Sequence, residues 1–188
     1  MQAIYCSAIL LFCVLNLFGQ QFSATSKLVY NYPDPDLNIE RSVGYGLQIE
    51  YDLSDRWSAN IFYNFLPSRQ SYTIPAGKVS QNIYLHYYGG RMNYKLLHIA
   101  NSTSVFVLSG IGIISFVLPE RSVDLGALGK KILSQQTTTH TAYSLGFVIS
   151  HPLWVGFNIY FEPLLFIFAT SGRTFMNYLF GGGIEFEL

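Results

Sequence analysis

Phe175–Leu188, FMNYLFGGGIEFEL, separates into two sets when read in steps of two. Tyr178, Phe180, Gly182, Ile184, Phe186 and Leu188 fall on one side; Asn177, Leu179, Gly181, Gly183, Glu185 and Glu187 fall on the other. Alternation of apolar with polar or very small residues is the mark of a strand with one dry face. Here it runs through a whole long strand, which predicts the closing strand of an all-β, eight-stranded antiparallel up-and-down transmembrane β-barrel.

Composition agrees with a chain that faces lipid. Of 188 residues, 50% are hydrophobic and 16% aromatic, while only 12% are charged, about half the usual share for a soluble domain. Lys+Arg and Asp+Glu are equal at 11 each, so no basic field points to nucleic acid. The most apolar internal runs do not suit membrane helices. Ser104–Leu118 is too short, and Leu153–Ala169 carries Glu162-Pro163 at its centre, against the ~20 uninterrupted residues a helical span needs. Ala3–Gly19 is a continuous apolar stretch ending in a small residue, which predicts a signal peptide over residues 1–19 and a barrel domain over 20–188. Cys6 and Cys13 both lie inside it, so disulfides and cysteine-based metal chemistry are not expected in the mature chain.

Seven further segments read as strands: Ala24–Tyr32, Ser42–Asp52, Trp57–Leu66, Gln81–Tyr94, Ser104–Val117, Thr139–Ser150 and Leu153–Phe166. Six of them alternate in the same way; the fifth, Ser104–Val117, is apolar on both faces, which leaves its orientation open. Pro33–Asp36 stops the first. The connections after segments two and six, Leu53–Arg56 and His151-Pro152, read as tight turns; Pro67–Ser80 and Leu118–Thr138 read as long loops. Short turns at one end and long loops at the other fit an outer-membrane barrel with both termini periplasmic. In the fourth segment, Ile83, Leu85 and Tyr87 are expected on the lipid face, with a β-bulge at Gly89-Gly90 turning Arg91 inward. Trp57, Tyr51, Trp154 and Phe186 fall near strand ends, where aromatic girdles belong.

Nearly all strand charges share the polar face, and in lipid that face must turn inward. Eight strands enclose an interior that side chains can fill, so inward charges need partners. Lys27 on the first strand lies between strands carrying Glu50 and Glu185. The expectation is a structural ion cluster of Lys27, Glu50, Glu185 and Arg91, with Glu162 a further inward carboxylate.

Eight alternating strands, a terminal GGGIEFEL and NIYFEP at 158–163 resemble small outer-membrane β-barrels of the OmpA/OmpX/OmpW type. The resemblance implies contact with outer-membrane lipid and insertion by the barrel-assembly machinery, which reads the last strand; this chain ends on Leu188, where an aromatic residue is more usual. Some similar barrels modify lipid A with a His-x-Ser element and a nearby Glu. Here His140 is followed by Thr141 and Ala142, and Glu162 on the next strand is the residue that would orient it. Without the Ser nucleophile, no catalytic residues are assigned. His86, His98 and His151 lack metal-ligand spacing, so neither metal nor cofactor is expected. A structural or surface-interaction role is the favoured reading, with a protein partner recognised through loop 118–138. Passage of small or apolar molecules past Phe62, Tyr84, Tyr88 and Tyr160 is the alternative.

Overall fold

Alternating segments that cannot satisfy their backbone in lipid must pair with each other until no edge is left. In the computed structural model, which describes residues 22–74, 77–99, 102–124, 130–170 and 172–187, they do so. The expected signal segment, both cysteines and Leu188 lie outside the described residues. The strands are β1 (Phe22–Tyr32), β2 (Ser42–Asp52), β3 (Trp57–Ile74), β4 (Gly77–Ile99), β5 (Thr103–Leu118), β6 (Arg121–Asp124), β7 (Lys130–Leu133), β8 (Gln136–Trp154), β9 (Phe157–Thr170) and β10 (Arg173–Glu187). Eight of them close a barrel in the order β1-β10-β9-β8-β5-β4-β3-β2, and β6 and β7 form a separate hairpin. Among the described residues no helix is long and apolar enough to cross a membrane.

The closing stretch pairs with β1 from Ser23↔Glu187 to Tyr32↔Tyr178 and with β9 from Arg173↔Thr170 to Phe186↔Phe157. Its two faces separate as the alternation requires: Asn177 and Leu179 are fully buried, while Tyr178, Phe180, Ile184 and Phe186 are exposed. The same division holds on β1, β2, β3, β8 and β9, with Leu28, Leu47, Ile61, Tyr143 and Ile159 all outside. The outer surface is a continuous apolar band.

Three expectations about β4 are corrected. Ile83, Leu85 and Tyr87 point inward, not to lipid, and are all but fully buried. No bulge occurs at Gly89-Gly90, since β3 and β4 pair without interruption from Trp57↔Tyr94 to Ile74↔Gly77. Odd positions therefore face in from Ile83 to Asn93, and Arg91 is inside without any parity change. Hydrophobicity misled here because the loop-side half of the interior is itself apolar. Tyr84 and Tyr88 accordingly lie outside, leaving Phe62 and Tyr160 as the interior aromatics of the four named.

Strand ends also move. The expected loop Pro67–Ser80 is the extended β3–β4 hairpin; Pro67 sits above the last β2–β3 pair, Tyr45↔Phe65, where β3 becomes an edge and tolerates proline. The chain reverses at Val155-Gly156 rather than at His151-Pro152. Gly156 has φ +78°, a left-handed turn conformation suited to glycine, and Pro152 is absorbed at a register shift.

Candidate functional site

Moving up from the end that carries both termini, the interior falls into three layers. The lowest layer is an open vestibule of about 560 Å³ whose lining includes Glu50, Asp52, Arg56, Lys95, Glu185 and Glu187. The middle layer holds the buried charges. The upper layer is an apolar plug in which Leu66, Leu85, Tyr87, Ile114, Phe166 and Leu179 are each 0% exposed. Phe62 and Tyr87 both pack on Phe166, with ring centroids 5.8 and 5.1 Å apart. Asn177 locks the plug to β4 by donating to the Tyr87 hydroxyl at 2.7 Å.

In the middle layer one carboxylate serves two cations. Glu162 on β9 pairs with Lys27 from β1 through one oxygen and with Arg91 from β4 through the other. All three side chains are essentially sealed from solvent. Arg91 further donates through Nη2 to Gln48 Oε1 at 2.8 Å and through Nε to Asn60 Oδ1 at 3.2 Å. Its guanidinium lies over the Phe62 ring, 4.1 Å from the centroid. Tyr160 donates its hydroxyl to Gln48 at 3.3 Å. Buried charges are tolerable when paired and hydrogen-bonded in this way.

The expected cluster thus has a different membership. Lys27 and Arg91 share Glu162. Glu50 and Glu185 sit one layer lower, held by neutral donors. Glu50 accepts from Ser58 at 2.5 Å, Asn93 at 2.8 Å and Gln48 at 3.1 Å. Glu185 accepts from Ser23 and Ser150, each at 3.0 Å, and from Asn158 at 3.2 Å. The register gives the reason: Lys27 lies opposite Gly46 and Gly183, whereas Glu50 and Glu185 lie opposite Ser23 and Thr25. Lys27 instead reaches past its neighbouring strand. Its Cδ lies 3.1 Å from where a Cβ on Gly181 would stand, so the glycine lets it cross β10 to β9. Arg91 crosses β5 over Gly110 in the same way, with its Cγ 2.4 Å from the would-be Cβ. The missed members, Gln48, Asn60, Asn93 and Tyr160, carried a visible signal, since each is polar on an inward parity.

At the far end, His140 is half-buried between Phe116 and Phe168, 5.7 Å from each ring centroid. Together with Leu37, Ile39 and Ile83, and with Gln70, Thr138 and Thr170, these rings line a pocket of about 250 Å³. Glu162 cannot orient His140. Phe168 pairs with Ala142, so Glu162 lies eight residues below the level of His140, about 26 Å along the strand. Among the described residues no group of three or more His, Cys, Asp or Glu is arranged to hold a metal ion. Beyond the pocket two hairpins project, β6–β7 and the top of β3–β4. Above Tyr84↔Val117, β4 has no described strand on its second edge. That edge, at Ser80–Asn82, faces Pro119–Arg121 and Leu133-Ser134 across a cleft of about 350 Å³.

A closed ring of eight antiparallel strands with apolar exterior and polar-to-apolar filling is the architecture of small transmembrane β-barrels, and this chain has that fold. Solved structures agree. OprG of Pseudomonas aeruginosa superposes with a TM-score of 0.58 at 9% identity, over 89% of this chain and 95% of its own. Neisserial surface protein A gives 0.57 at 12% identity, over 89% and 97%. The attachment invasion locus protein Ail of Yersinia pestis, solved with the heparin analogue sucrose octasulfate, gives 0.52 at 12%, over 88% and 99%. No family model and no curated protein sequence matches the chain.

Proposed function

We propose that the protein is a non-enzymatic outer-membrane scaffold with a side-chain-filled interior, both termini periplasmic, that meets a protein partner through its far end. The observation that carries this reading is the combination of a sealed cross-section with an elaborated rim. Six side chains at 0% exposure fill the barrel from several strands, which supports a filled interior over an open channel. All three turns at the end with the termini are short, while the opposite end bears two projecting hairpins. Loops on rigid barrels are where function concentrates. The β4 edge at Ser80–Asn82, which has no described strand beside it and faces Pro119–Arg121 and Leu133-Ser134, suits an added strand from a partner, with main-chain hydrogen bonds supplying affinity. Likeness to the attachment protein Ail supports a surface role for such a rim. The closing strand Arg173–Glu187 supports insertion by the barrel-assembly machinery as part of this reading. The test is co-purification from mild detergent with intact protein and with a variant whose residues 120–134 are replaced by a short turn. A partner retained by the first and lost from the second supports the reading; identical partners, or none, overturn it.

One observation favours passage of small apolar molecules as a second reading: the pocket lined by Ile39, Phe116, His140 and Phe168 opens at the far mouth. Uptake of a small apolar dye into protein-containing liposomes, abolished by Phe168→Arg, would establish it.

A further inference from the structure

On the outer wall, β2 ends well below the tip of the β3–β4 hairpin, leaving a step. The last β2–β3 pair is Tyr45↔Phe65, after which the chain before β2 touches β3 only through Ile39↔Gln70 and the Glu40 N–H to Arg69 carbonyl bond at 2.7 Å. The step is a groove of about 430 Å³ lined by Glu40, Arg41, Ser42, Val43, Pro67, Ser68, Arg69, Asn82 and Tyr84. We infer that this groove binds the phosphorylated headgroup of a membrane lipid, with Arg41 and Arg69 holding the phosphate and the aromatic wall below receiving the acyl chains.

Three features converge on that chemistry. Arg41 and Arg69 are both exposed, and among the described residues the only ion pairs are those at Glu162, so neither guanidinium is neutralised. A planar guanidinium matches phosphate oxygens bidentately. Arg41 lines the groove, and its guanidinium stacks 4.2 Å from the centroid of Tyr32 on β1. Immediately below stands a lipid-side aromatic platform: Tyr45 on Phe65 at 5.4 Å and Phe65 stacked on Tyr84 at 5.8 Å, with Val43 58% exposed beside them. Apolar band, aromatic rings and guanidiniums thus follow in the order in which a lipid presents chains, interface and phosphate. Glu40 is the one acid in the groove, its carboxylate accepting from the Ser71 hydroxyl at 3.0 Å; against it the guanidiniums of Arg41 and Arg69 leave the groove net positive.

That the lipid belongs to the outer leaflet rests on the orientation proposed above; the binding itself does not. The probe is diphosphoryl lipid A, titrated into detergent-solubilised protein and counted by native mass spectrometry. Arg41→Gln/Arg69→Gln is expected to bind about tenfold more weakly or worse, and lipid A stripped of its phosphates to bind the wild type as weakly. Heat-modifiable electrophoretic mobility confirms that the double variant is folded, and single variants replace it if it is not. Equal binding by the variants, equal binding of the dephosphorylated lipid, or full displacement by millimolar inorganic phosphate overturns the proposal. Antibody access on intact cells to an epitope inserted after Ile74 tests the orientation separately.

Discussion

Glu162 is the residue on which the interior depends. Its removal would strand two buried cations, and breaking a buried pair by deleting one partner costs about 3–5 kcal/mol. Glu162→Gln is therefore expected to lower stability by about that much in urea unfolding from lipid vesicles. Glu185, satisfied by two serines and an asparagine at the vestibule, strands no opposite charge when neutralised, and Glu185→Gln should cost only about 1 kcal/mol. Equal losses would refute the assignment of Glu162 as the shared counter-ion. The glycines make a second contrast. A Cβ on Gly110 would meet the Gly90 carbonyl oxygen at 2.3 Å and Arg91 Cγ at 2.4 Å, whereas one on Gly90 would meet nothing closer than 3.8 Å. Gly110→Ala should fail to fold, or lose about 3 kcal/mol or more, while Gly90→Ala should remain near wild type in the same assay.

At the scale of the strand, the decisive property is that exposure means lipid. Leu28 is 69% exposed and Leu47 54%; in a water-soluble protein Leu47→Arg would be nearly neutral. On a barrel wall an arginine near the bilayer midplane costs about 2–4 kcal/mol. Leu47→Arg is expected to show that loss in vesicles, and a change below about 0.5 kcal/mol would argue against the lipid face. The alternation that placed Leu47 outside was legible on β1, β2, β3, β8, β9 and β10, because each has a polar inward face. It was not legible on β4. There Ile83, Leu85 and Tyr87 alternate with the more polar Asn82, Tyr84, His86 and Tyr88, yet the apolar set lies inside; period 2 separates two faces but does not say which is lipid when the interior at that height is itself apolar.

For the whole molecule, function turns on whether the barrel is filled. Wild-type protein in planar bilayers is expected to give no stable ion current. Tyr87→Ala/Phe166→Ala, which removes two rings from the plug while leaving Lys27, Arg91 and Glu162 in place, should introduce one. A steady wild-type conductance would overturn the scaffold reading in favour of passage.

The sequence alone determined that strands alternate, that they number eight in the ring, and that charge turns inward, because these follow from local period and from the demand that lipid-facing backbone be paired. It also marked Lys27 and Glu162 as inward, whereas Arg91 is inside on the strand's own parity and not through the bulge expected at Gly89-Gly90. What only the tertiary structure decided is who meets whom. Lys27 bypasses both adjacent strands' carboxylates for Glu162 two strands away, over Gly181, and Arg91 arrives at the same oxygen pair over Gly110. Such contacts depend on the height at which tilted strands register and on side chains long enough to cross a neighbour, and neither is encoded in the spacing along any one strand.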